Sequence, residues 1–250
     1  MTLKAIIFDV DGTLAETEEQ GHRPAFNHAF EEAGLRWFWD EATYARLLAV
    51  TGGKERIAAW CREADPKVLA RPDFAAWAAQ LHAVKNQHYA TIVQTGGVNL
   101  RPGIDRLVRD ARAAGLPLAI ATTTSERNVH ELLNATWGPG SAAWFAVIGA
   151  GDVVPNKKPA PDIYLHVLRH LGLAPQQALA LEDSAVGAHS ALAAGLPVVV
   201  TRSRYTAHDT LPAGLLAELH QLDEAHPLAQ LRRWHAQAAA APRTQGLTAS

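Results

Sequence analysis

The chain has 250 residues, 48% hydrophobic and 19% charged, and its 23 basic and 25 acidic side chains leave a formal charge of -2. So even a balance argues against a protein that coats nucleic acid or lies on an anionic membrane, since both need a cationic face. The length suits one large domain or two modest ones with buried cores. The single cysteine, Cys61, cannot close an internal disulfide, which fits a reducing compartment. No apolar run approaches the ~18 residues that span a bilayer. Met1-Thr2-Leu3-Lys4 leads directly into a strand-like stretch, leaving no room for a targeting peptide. The expectation is a soluble, cytoplasmic, monomeric protein without nucleic-acid or membrane partners.

In chain order, Ala5–Val10 is an apolar run ending in acid, the pattern of a parallel strand buried on both faces. The next strand-like run comes only at Leu116–Thr122, followed by Trp144–Gly149, Ala178–Leu181 and Pro197–Thr201. Helical segments separate them at Gly103–Ala114, Ser125–Asn134, Ala160–Leu171 and Ser184–Ala194, with Gly115, Gly172 and Gly195 at three of the stops. Strands alternating with helices predict an α/β fold with an open parallel sheet and right-handed crossovers.

Between the first two strands the pattern is helical, at Pro24–Ala33, Glu41–Val50, Lys54–Glu63 and Phe74–Val93. Trp37, Trp39, Trp60 and Trp77 fall here, enough aromatic area for a small separate core. Ala15–Glu18 and Gln94-Thr95-Gly96-Gly97 read as the outgoing and return joints. The expected division is a core of residues 1–15 and 97–237, an inserted helical cap of residues 16–96, and a disordered alanine-rich tail over residues 238–250.

Phe8-Asp9-Val10-Asp11-Gly12-Thr13-Leu14 delivers two acids into a glycine turn at the carboxyl end of a strand, where open α/β sheets bind ligands. The turn lets both carboxylates converge, and their repulsion calls for a hard divalent cation, Mg2+. Taken alone, the same residues read equally well as an acidic strand end capping a turn. Three later strand ends add to them. Thr122-Thr123-Thr124-Ser125 opens a helix with hydroxyls, a phosphate cradle. Lys157-Lys158-Pro159 supplies a cation, and Leu181-Glu182-Asp183-Ser184 brings two more carboxylates. Each has a structural reading of its own; together they place acids, a hydroxyl and a lysine at one sheet edge.

The ordered set Asp9-x-Asp11-Gly12-Thr13, Thr122, Lys158-Pro159 and Glu182-Asp183 resembles the four signature motifs of the haloacid dehalogenase (HAD) superfamily. The helical insert is similar to the cap of the β-phosphoglucomutase-like subfamily. Ala15–Glu18, His22–Asn27 and Thr51–Ile57 resemble the CbbY-type xylulose-1,5-bisphosphate phosphatases, and Ala121–Ser125 and Lys157–Tyr164 agree. The resemblance implies a Rossmann-like parallel-sheet HAD core with an inserted α-helical cap domain. It implies Asp9 as nucleophile, forming an aspartyl-phosphate, and Asp11 as acid and then base. Thr122 and Lys158 would hold the non-bridging oxygens. Mg2+ would bind Asp9, the Asp11 backbone carbonyl, Glu182 and Asp183. The implied substrate is a sugar bisphosphate, xylulose-1,5-bisphosphate, a misfire product that inhibits Rubisco.

Gly52-Gly53-Lys54-Glu55-Arg56 is a glycine turn feeding a helix with two cations, suited to a second phosphate or, equally, to a solvated helix start. His82 and Lys85 lie three apart and share a helix face, where Lys85 suits a distal phosphate. Glu18, His22 and Tyr44 are candidates for sugar hydroxyls, and Thr123 and Asn128 for the same entrance. Two departures stand out. Glu18-Glu19-Gln20-Gly21-His22 carries one residue more than the spacing expected before the histidine, and Ala185-Val186-Gly187 is apolar where related phosphatases have Asn. His166 and His170 sit four apart without a third zinc ligand, and Cys61 reads as packing.

The same residues admit other functions. A β-phosphoglucomutase-like phosphosugar mutase differs only in passing the phosphoryl group to a second sugar hydroxyl instead of water. A phosphoglycolate phosphatase has too small a substrate to need two cap cations. A silent phospho-ligand binder would be expected to have lost Asp9, Asp11, Lys158 or Asp183, all present.

Overall fold

The computed structural model describes residues 2–240. Strand β1 (Ala5–Phe8) leads into a π-helical turn (Glu18–His22), then α1 (Arg23–Glu32), α2 (Glu41–Leu47), α3 (Gly53–Ala64), α4 (Pro66–Leu69) and α5 (Phe74–Gln94). The chain continues through α6 (Ile104–Ala113), β2 (Leu118–Ala121), α7 (Glu126–Trp137), β3 (Phe145–Gly149), α8 (Asp162–Leu171) and β4 (Ala178–Glu182). It ends with α9 (Ala185–Ala193), β5 (Val198–Thr201), β6 (Ala217–Leu219) and α10 (Pro227–Ala240). All strands join one parallel sheet in the order β3-β2-β1-β4-β5-β6. The order reverses beside β1, so the carboxyl ends of β1 and β4 flank the crevice in which such sheets bind ligands.

Alternation along the strands sorts side chains by size. Ile6, Phe8, Leu118, Ile120, Leu179 and Leu181 face one layer, where they pack with Leu107 and Val108 of α6, Leu132 and Leu133 of α7 and Leu231 of α10. Ala5, Ile7, Ala119, Ala121, Ala178 and Ala180 face the other, where α8 brings the larger Ile163, Tyr164 and Val167 onto a surface made mostly of alanines at its centre. That packing seats Tyr164 beneath the crevice.

The insert has its own apolar cluster, built on Phe26, Phe30, Trp39, Tyr44, Ile57, Cys61 and Leu81, with Trp37, Trp60 and Trp77 at its margin. Where it joins the sheet layer, two chain segments pair with each other. Glu16 donates its backbone N–H to Asn99 at 3.0 Å and Arg101 donates to Leu14 at 2.9 Å. The crossing is therefore a short two-stranded ribbon at Leu14–Glu16 and Asn99–Arg101. Of the joints expected from sequence, Ala15–Glu18 overlaps it, whereas Gln94–Gly97 proves to be the end of α5 and the turn after it.

Other boundaries differ for identifiable reasons. Strand β6 escapes the hydrophobic pattern because it is three residues long with exposed Glu218 at its centre. Helix α2 stops at Leu47 because Arg56 takes the Leu47 and Val50 carbonyls at 3.2 and 3.3 Å. Helix α7 continues to Trp137, whose indole donates to Asp105 at 2.7 Å. The tail expected from residue 238 begins inside α10, and residues 241–250 lie outside the described residues. Among the described residues no helix is long and apolar enough to cross a membrane.

Candidate active site

The Asp9 backbone N–H donates to Leu181 at 3.0 Å, carrying the pairing of β1 with β4 one residue beyond the strand. Asp9 and Glu182 therefore emerge side by side. The Lys158 Nζ lies between them, donating to Asp9 Oδ1 at 2.7 Å and Glu182 Oε1 at 2.6 Å. Tyr164 donates its hydroxyl to the same Glu182 oxygen at 2.5 Å. Asp9, Glu182 and Asp183 each offer an oxygen within 4.8 Å of the others, and all three are buried.

Burial, with the charges of Glu182 and Asp11 added, raises the Asp9 pKa to about 7 despite Lys158. Burial and the neighbouring Asp9 and Glu182 likewise push Asp183 well above the carboxylate range. Burial works against the Lys158 ammonium, but the two acids outweigh it and hold its pKa above the ordinary lysine value.

The residues fit a hard divalent cation. Glu182 Oε2 is buried without a hydrogen-bond partner among the described residues. It lies so close to α9 that a Cβ on Gly187 would sit 2.0 Å from it. Gly12 has φ +80°, and a Cβ there would lie 2.2 Å from Asp183 Oδ2. An all-oxygen donor set with more negative charge than Lys158 can balance suits such an ion.

Asp11 lines the same compartment as Asp9 but stands outside the Asp9, Glu182 and Asp183 cluster. It turns toward the insert, where Asp11 Oδ1 accepts from Thr17 at 2.6 Å and meets His22 Nε2 at 2.8 Å. His22 Nδ1 lies 2.6 Å from Lys85 Nζ, and the His22 ring stacks on Tyr89 at 4.2 Å. Burial favours a protonated Asp11, but the charge and hydrogen bond of His22, with Thr17 and Lys85, bring its pKa down to about 2. Burial lowers Lys85 to about 7 although Glu18 and Asp11 oppose it. His22 ends the π-helical turn Glu18–His22, in the stretch where the sequence departs from the expected spacing.

Two adjoining compartments share a wall of Asp11, Glu18, Arg56 and Thr123. One holds Asp9, Lys158, Glu182 and Asp183. The other holds Gly52, Gly53, Lys54, His82, Lys85 and Lys157, with His22 and Asp152. Tyr44 donates to Glu18 at 2.5 Å. Lys54 pairs with Asp152 at 2.9 Å, and Lys157 bridges Glu55 at 2.8 Å and Asp152 at 3.1 Å, so these charges join insert to core.

Three of the nominated residues are set by their surroundings. Arg56 gives three of its five N–H groups to the Leu47 and Val50 carbonyls and to the Tyr44 hydroxyl, which stiffens the wall that it forms between the two compartments. Asn128 donates to Asn86 at 3.1 Å, joining α7 to α5 away from both compartments. Burial, then Lys85, lowers His82 to about 3, so its ring is neutral. The Thr122 hydroxyl accepts from the Thr124 N–H at 3.2 Å and shapes the turn that presents Thr123. Sequence reasoning passed over Thr17, Tyr164, Ser203 and Thr206. The last two follow the carboxyl end of β5, the same edge rule that located the other motifs.

A Rossmann-ordered parallel sheet with a helical insert after its first strand and an acidic, lysine-bearing rim defines a class of hydrolases. The chain belongs to the haloacid dehalogenase-like hydrolase family, whose family model matches residues 3–195. It is 52% identical over 213 residues to the protein CbbY of Rhodobacter capsulatus, covering 85% of this chain and 91% of that one. To the plasmid-encoded CbbY of Cupriavidus necator it is 46% identical over 247 residues, covering 93% and 97%. Among solved structures, a mutant of CbbY from Rhodobacter sphaeroides in complex with xylulose-1,5-bisphosphate superposes with a TM-score of 0.81. That match is at 45% identity and covers 88% of this chain and 94% of that one.

Proposed function

We propose that this hydrolase is a Mg2+-dependent phosphatase acting on a sugar bisphosphate, xylulose-1,5-bisphosphate, through an aspartyl-phosphate. The observation that carries the reading is the pair of joined compartments. One has a carboxylate nucleophile beside a lysine, and the other is lined by Lys54 at the start of α3, Lys85 of α5 and Lys157 between β3 and α8, where a second phosphate finds cations. The bisphosphate bound to the CbbY relative supports the same assignment. Residues 16–96 act as a cap that turns on the ribbon at Leu14–Glu16 and Asn99–Arg101 and closes over the rim.

In the first step an Asp9 oxygen attacks phosphorus, the bond from phosphorus to the sugar oxygen breaks, and that oxygen takes the proton of Asp11. In the second, water attacks the acyl phosphate, Asp11 takes the water proton and the Asp9 carboxylate is released. Lys158 and the Thr122–Thr124 turn hold the non-bridging oxygens, where transition-state charge lies. Asp9, Glu182 and Asp183 would hold the Mg2+, whose charge keeps Asp9 ionised and offsets its repulsion from the phosphate. Held by Thr17 and His22, Asp11 is a carboxylate, the form that accepts a proton from water. Donation to the sugar oxygen requires it to turn from those donors, which lets its pKa rise.

The test is phosphate release from xylulose-1,5-bisphosphate, ribulose-1,5-bisphosphate, glucose 1-phosphate and phosphoglycolate, with and without Mg2+. The expected result is preference for the first substrate, dependence on Mg2+ and loss of turnover in Asp9→Asn. Isomerisation of glucose phosphate without phosphate release would place the chain among mutases instead.

A further inference from the structure

The turn after β5 is tied from several sides. Arg202 Nη1 donates to the Thr206 and Asp209 carbonyls at 2.9 Å each, and Arg202 Nε to Glu218 at 2.6 Å. Buried Arg101, in the ribbon that joins insert to core, donates to the Arg202 carbonyl at 2.8 Å and to Glu16 at 2.6 Å. Asp209 accepts from the backbone N–H of Ala185, the first residue of α9, at 2.9 Å. A loop tied in this way holds one shape and can transmit a displacement.

Its residues divide by what they touch. Ser203 and Thr206 face the acidic cluster. The Thr206 hydroxyl lies 3.3 Å from Asp183 Oδ2, the Ser203 hydroxyl 3.0 Å from that of Thr206, and the Ser203 N–H donates to Thr206 Oγ1 at 2.9 Å. Arg204 and Tyr205, between them, face the insert. Arg204 pairs with Glu19 in the π-helical turn and with Glu41 of α2. Tyr205 accepts from Arg23 of α1 at 3.1 Å and meets the Tyr44 ring of α2 edge-on at 5.6 Å between centroids.

We propose that the Ser203–Thr206 turn couples cation binding at Asp183 to seating of the cap. Ser203 and Thr206 are positioning residues that aim the Asp183 carboxylate, and Arg204 and Tyr205 clasp three elements of the insert. Coupling of this kind is reciprocal: a seated cap strengthens cation binding, and a bound cation strengthens seating. The inference rests on reading the acidic cluster as a cation site.

The test uses the full chain, with Mg2+ titrated by calorimetry and amide hydrogen exchange followed in α2 and the π-helical turn. In the wild type, Mg2+ slows exchange in both segments. In the double variant Arg204→Ala/Tyr205→Ala, Mg2+ still binds but about threefold to tenfold more weakly, the scale of two exposed ion pairs and one aromatic contact. It no longer protects α2 there. Thr206→Val also weakens Mg2+ binding, and Thr206→Ser, which keeps the hydroxyl, restores it. Unchanged protection of α2 in the double variant overturns the coupling, as does failure of Thr206→Ser to rescue. Mg2+ binding without any effect on α2 in the wild type defeats the coupling alone, whereas no Mg2+ binding at all defeats the cation site with it.

Discussion

Replacing Lys158 by methionine keeps the unbranched stem and removes the ammonium that lies 2.7 Å from Asp9 and 2.6 Å from Glu182. The lysine side chain is 5% exposed and those of Asp9 and Glu182 10% and 1%, so bulk water cannot take its place. Breaking a buried pair by removing one partner costs about 3–5 kcal/mol. In a chain of this size that lowers the melting temperature by about 10 °C. The sign with pH follows from linkage. Without the ammonium, the folded pKa of Asp9 rises beyond about 7, further above its unfolded value. The folded chain then holds a proton that the unfolded chain releases, so stability falls as pH climbs through that window and returns on acidification. Thermal unfolding in chelator, followed from about pH 5 to about pH 8, should show the gap from wild type widening with pH. Phosphatase turnover should be lost throughout. A variant that melts with the wild type at the alkaline end would refute the view that Lys158 neutralises this cluster.

Gly12→Ala forces a Cβ to 2.2 Å from Asp183 Oδ2 at a left-handed position, so calorimetry should find Mg2+ binding lost; wild-type affinity would count against the proposed site. Raised to about 7 from 3.8, Asp9 makes the cation-free protein lose stability as pH rises across that interval. Asp11, lowered to about 2, contributes stability above its unfolded value of 3.8 that disappears as pH falls toward 2. Denaturant unfolding should show both slopes, with saturating Mg2+ flattening only the first. Lys54→Ala and Lys157→Ala should each raise KM for the bisphosphate by about tenfold, the scale of one lost charge-assisted contact. Hydrolysis of a small monoester should suffer less, and equal losses on both substrates would remove the distal-phosphate role.

Much of the molecule was legible in the residues themselves. Apolar runs ending in Asp9, Thr122 and Glu182-Asp183 marked buried strands and the edge at which they deliver chemistry, because parallel strands are covered on both faces and expose their polar residues only at the ends. Four tryptophans between the first two strands announced an insert with its own core. Lys85 could be nominated from its spacing with His82 along one helix, and Glu18 and Tyr44 from residue type. Strand β6 and the pairing of the joining segments could not, since short elements held by partners distant in sequence leave little periodic trace.

What the sequence determined by itself was the inventory: strand ends bearing acids, hydroxyls and a lysine, and a helical insert bearing cations. Tertiary structure decided how each charge is used. It turned Asp11 toward Thr17 and His22, engaged Arg56 with backbone carbonyls and set Asn128 between helices. It also placed Ser203 and Thr206 over Asp183. The reason is that an ionisable group takes its direction and its proton from neighbours across the fold, and neither burial nor a partner many residues away is written in local spacing.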